Sequence, residues 1–95
     1  MLAAIAETPG PIDTIVICDV PEPGELRAGE VVVRMLVSTF NPSDAVTVSG
    51  AYASRTAFPL VPGFEGVGII DRIGPGVSTS ALGQRVLPIG SPGAW

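Results

Sequence analysis

The apolar residues of this chain fall in short runs broken by ten prolines and twelve glycines. Such spacing predicts many short strands joined by turns rather than a helical bundle. Met1 to Glu7 reads as a first strand and Pro9-Gly10-Pro11 as the turn after it. Ile12 to Val20 alternates well enough to be a second strand, and the two could pair as a hairpin. Pro21 to Glu30 is a loop, followed by the β-branched run Val31 to Thr39, which is a strand. At Asn41-Pro42-Ser43-Asp44 the pattern changes. An N-cap residue, a proline at the first helical position and a carboxylate at the third predict a short helix to about Ser49, ended by Gly50. A loop from Ala51 to Pro62 holds Tyr52, Arg55 and Phe58. Gly63 to Ile73 is a further strand in which Gly66 and Gly68 mark a bulge or a close backbone approach. Gly74-Pro75-Gly76 turns the chain, and Gln84 to Ile89 supplies a last strand. The sum is a mainly β, small, curved and partly open barrel with one short helix.

Composition narrows what such a domain could do. Ninety-five residues make one domain at most, and one this small buries little more than half of the surface its unfolded chain exposes. Yet 46% of the residues are apolar and the mean hydropathy is +0.51. Some apolar surface is therefore expected to meet a partner, either the rest of the same protein or another copy of the chain. Nine acidic residues against five scattered arginines give a net charge of −4, which argues against nucleic acid. No apolar run approaches the ~20 residues needed to cross a membrane. The start carries no basic segment and meets Glu7 and Pro9 early, so a cytoplasmic protein is expected. Histidine is absent and Cys18 is the only cysteine, which excludes an internal disulfide.

Several ordered blocks resemble the medium-chain dehydrogenase/reductase family. They are Asn41-Pro42-Ser43-Asp44, Gly50-Ala51-Tyr52, Pro62-Gly63-Phe64-Glu65-Gly66-Val67-Gly68, Ile73-Gly74-Pro75-Gly76-Val77 and Gly83-Gln84-Arg85-Val86. Asp19 to Pro23 and Gly29 to Val33 look like earlier parts of the same pattern. The resemblance implies a GroES-like substrate domain spanning residues 1–95. It also implies a cofactor domain that this segment lacks, since no Gly-x-Gly-x-x-Gly phosphate loop occurs in it. NADPH would be held by that other domain, and the segment is expected to be an unfinished, inactive piece of a homo-oligomeric enzyme.

Within the family, the zinc branch carries a cysteine in the block where this chain has Asn41 to Asp44, and a histidine where it has Phe64. Catalytic zinc takes about three protein ligands. With those two replaced, the resemblance implies the zinc-independent branch, most like quinone oxidoreductases and 2-enoyl thioester reductases. There, a tyrosine at the position of Tyr52 is proposed to give a proton to the α-carbon while hydride from NADPH adds to the β-carbon. A phenol with a reference pKa near ~10 stays protonated at neutral pH and suits that task. The alternative is a ring packed on a loop. Asn41 and Asp44 read first as helix-start residues, and the resemblance places them, with Glu65, at the substrate cleft. Arg55 is either a solvated loop residue or a contact for substrate phosphate. Gln84 departs from the aspartate usual before Arg85. A free-standing co-chaperonin-type interaction module, or a vestigial barrel used for self-association, are the competing readings. The strand Val31 to Thr39 argues against the first, because it stands where such modules carry a mobile loop.

Overall fold

The computed structural model describes residues 1–51, 56–89 and 93–95. Among these residues it contains two open antiparallel sheets and one α-helix, in keeping with the mainly β expectation. Strands β1 (Leu2–Ile5) and β2 (Val16–Asp19) form the first sheet, with Leu2 opposite Asp19 and Ile5 opposite Val16. The Met1 ammonium closes the end of this hairpin on Asp19 Oδ1 at 2.7 Å. That pairing raises the pKa of the amine from its ordinary 8.0 and lowers the Asp19 carboxyl, in both cases first through the hydrogen bond between them.

The second sheet has the order β3 (Val31–Ser38), β4 (Gly66–Ile73), β5 (Arg85–Val86). Its register carries two irregularities. Arg72 faces Val32 and Ile70 faces Val33, leaving Asp71 as the extra residue on β4. Gly68 faces Met35 and Val67 faces Val37, leaving Leu36 as the extra residue on β3. The second bulge thus lies opposite the glycines rather than at them. Gly66 and Gly68 serve close approach instead, since a Cβ on either would come 2.7 Å from a β3 carbonyl oxygen, that of Val37 or Arg34.

Ala6 and Leu60 join the first hairpin to the chain before β4 through two reciprocal backbone hydrogen bonds of 2.8 Å. Gly10 N–H, in the first turn, donates to the carbonyl of Val48 at the end of helix α1 (Pro42–Val48) at 3.0 Å. The core is correspondingly small, built from Ala3, Ala6, Val48, Leu60, Ile70 and Pro62. A hollow of about 640 Å³ lies between β1 and the inner residues of β3, and Val37, Leu87 and Ile89 stay largely exposed. No helix among the described residues is long and apolar enough to span a membrane.

All five strands are shorter than the apolar pattern predicts, and for three of them the cause is visible. Ile12 to Thr14 is a 3-10 turn, because the Thr14 N–H and Oγ1 both bond to the carbonyl of Pro11 and draw the chain out of extended form. The strand expected from Gly63 starts at Gly66, because Gly63 has a φ of 95° that no strand residue adopts. The strand expected to reach Ile89 ends at Val86, and Pro88 beyond it has no N–H to offer a ladder. The helix ends as expected, with Gly50 at a φ of 89°.

Candidate functional site

The site is set by the meeting of three chain segments: the end of β3, the start of α1 and the start of β4. Because Ser38 pairs with Gly66, the next residue of each strand's run is brought alongside its counterpart. Thr39 N–H then donates to the Glu65 carbonyl at 3.2 Å, and Thr39 Oγ1 to Glu65 Oε2 at 3.4 Å. From the other side Asn41 Nδ2 donates to Thr39 Oγ1 at 3.2 Å. The structure therefore brings Asn41 and Glu65 to one place, with Thr39 as the link.

Asp44 sits differently. It is completely buried, and its Oδ2 accepts the Asn41 N–H at 2.8 Å while its own N–H bonds the Asn41 carbonyl at 2.9 Å. This is capping-box duty, satisfying a donor that the helix start leaves free. Its Oδ1 has no hydrogen-bond partner among the described residues. Tyr52 and Arg55 lie outside the described residues.

Glu65 and Thr39 stand at a groove of about 330 Å³ whose other walls are apolar, formed by Val37, Gly66, Val67 and the Leu87 to Ile89 segment. An apolar cleft with few convergent polar groups is the usual form of a small-molecule site. Phe64 does not line it and instead lines a neighbouring hollow with Val33 and Met35.

The donor set here does not fit a catalytic zinc ion. Asn41 offers an amide, Phe64 offers no donor atom, and the chain contains no histidine. Among the described residues no three Cys, Asp or Glu side chains gather. Nor do the residues fit a dinucleotide, for want of a glycine-rich phosphate loop.

Two aromatic residues missed by sequence reasoning stand beside this cluster. Phe40 stacks on Trp95, with ring centroids 5.5 Å apart and planes 19° apart. Trp95 Nε1 donates to the Thr39 carbonyl at 3.1 Å. Only the solitary tryptophan of the chain could have flagged the pair, because its two residues lie far apart in the sequence.

Comparison with known proteins agrees with this architecture. Residues 27–93 match the family model of the alcohol dehydrogenase GroES-like domain. The mitochondrial enoyl-[acyl-carrier-protein] reductase of Arabidopsis thaliana is 36% identical over 74 residues, which cover 77% of this chain and 20% of that protein. An alcohol dehydrogenase of Moraxella sp. is 41% identical over 68 residues, 72% of this chain and 19% of that one. The solved structure of a mycobacterial quinone oxidoreductase superposes with a TM-score of 0.83 at 28% identity, covering 99% of this chain and 29% of that one. The chain thus spans about a fifth of the length of the curated relatives it matches.

Proposed function

Because the chain belongs to the alcohol dehydrogenase GroES-like domain family, we propose that it forms the N-terminal, substrate-side part of an NAD(P)H-dependent oxidoreductase. Its substrate would be an activated C=C bond, in a 2-enoyl thioester or enone, or a quinone. The observation that carries this reading is the pairing of Thr39 with Glu65 at the open, apolar groove, with Asn41 bonded to Thr39. It is supported by relatives named as an enoyl reductase and a quinone oxidoreductase.

In this reading Asn41 and Glu65 border the cleft, and Asp44 acts through Asn41, holding the helix start at which that side chain sits. Tyr52, two residues beyond the helix-ending Gly50, donates a proton to the α-carbon or to the developing enolate oxygen. NADPH is the reductant, bound by a domain that this chain does not contain, and zinc takes no part. The exposed Val37, Leu87 and Ile89 are covered by the rest of the same enzyme or by another copy of the chain, in the cytoplasm. The test is NADPH oxidation by a protein that joins this chain to a dinucleotide-binding domain. Oxidation dependent on a crotonyl thioester or on 1,4-naphthoquinone is the expected result, and none with either acceptor would refute the reading.

A further inference from the structure

Three side chains at the end of β3 form a chain of hydrogen bonds whose direction their chemistry dictates. Thr39 Oγ1 donates to Glu65 Oε2 at 3.4 Å and accepts from Asn41 Nδ2 at 3.2 Å. A carboxylate has only lone pairs to offer, so the single hydroxyl hydrogen of Thr39 goes to Glu65. What Thr39 has left for Asn41 is a lone pair, which only the amide nitrogen can use. The two ends of a carboxamide are nearly alike in shape, and here the charge at the far end of the chain decides between them.

The backbone keeps the three groups in reach. Thr39 N–H donates to the Glu65 carbonyl at 3.2 Å, which holds those two residues side by side. Asn41 has the extended angles φ −117° and ψ 154°, and in extended chain residues two apart share a side. Its amide therefore lies with Thr39. Among the described residues the ion pairs are Met1 with Asp19 and Arg34 with Asp71, so no cation there competes with Thr39 for the Glu65 carboxylate.

We propose that Thr39 is a positioning residue, which passes the charge of Glu65 to Asn41 and so fixes which way round that carboxamide lies. Without the charge, the hydroxyl is free to donate to Asn41 instead, and the amide turns over with its oxygen toward Thr39. The inference rests on the oxidoreductase reading only for its consequence, that a substrate at the cleft always meets Asn41 in the same orientation. Its test needs no substrate.

Asn41 is the only asparagine of the chain and Gln84 the only glutamine. The side-chain amide signals of both are thus readily identified in a ¹⁵N spectrum, and Gln84, which donates to the Ser80 carbonyl at 3.1 Å, is an internal control. Exchange of the Asn41 Nδ2 hydrogens with water should rise roughly threefold to tenfold in Thr39→Val and stay within about twofold of the parent in Thr39→Ser. Glu65→Gln should raise it more than about twofold in the parent but not in Thr39→Val, with Gln84 unchanged throughout. An Asn41 rate unmoved by either change would overturn the proposal. So would an equal response to Glu65→Gln with and without the Thr39 hydroxyl, which marks a charge acting through solvent. Should Thr39→Val fail to fold, Glu65→Asp decides, because the shorter side chain keeps the charge and loses the reach. A rate like that of Glu65→Gln supports the relay, and a rate like the parent's overturns it. No arm of this experiment involves NADPH oxidation, so either conclusion can fail while the other stands.

Discussion

The indole of Trp95 occupies the space that a side chain on Gly63 would need: an added Cβ would overlap Cδ1 and sit 2.7 Å from Nε1. Gly63 also has a φ of 95°, a left-handed conformation that other residues rarely adopt. The end of the described chain is therefore fastened across the start of β4, next to Thr39, by a glycine that two independent requirements select. Gly63→Ala should lower stability by about 1 to 3 kcal/mol and release the indole, shifting Trp95 emission to the red in the native state. Unchanged emission would show that the ring finds equivalent packing without the glycine.

Asp44 should matter for stability before it matters for anything else. Removing its carboxylate leaves the Asn41 N–H without its side-chain acceptor and opens a void in a fully buried position. Asp44→Ala is expected to lower the unfolding free energy by about 1 to 3 kcal/mol in a urea titration. A loss within experimental error would mean that another group takes over the cap.

These two positions illustrate what the sequence makes visible. The cap was legible because Asn41, Pro42 and Asp44 are neighbours and each acts locally. The strand Val31 to Ser38 was legible because β-branched residues crowd it. Ile12 to Thr14 misled, since its alternation resembles a strand while the Pro11 carbonyl captures Thr14. At the site, the motif blocks indicate Asn41 and Glu65 but not the residue that joins them. Thr39 enters only through the pairing of β3 with β4, and Phe40 and Trp95 only through a contact between distant segments. Such relationships depend on register and long-range packing, which local patterns do not encode.

Metal content gives an independent check. Alcohol dehydrogenases are among the relatives, but by the family resemblance the block Asn41 to Asp44 and Phe64 replace the cysteine and histidine ligands of the zinc branch. Elemental analysis of protein purified without chelator should find no stoichiometric zinc, and added zinc should not raise the thermal midpoint. One tightly bound ion per chain would require a ligand set that these residues do not provide.

The most direct test of the oxidoreductase account is the kinetic effect of Tyr52→Phe in a protein that carries this chain and its cofactor domain. The substitution removes one hydroxyl and keeps the ring. If the phenol supplies the proton, kcat on an enoyl thioester should fall by a factor of order 10² to 10⁴ with NADPH affinity nearly unchanged. Quinone reduction, which needs no carbon protonation, should be affected far less. An unchanged kcat on the enoyl thioester would contradict the proposed acid.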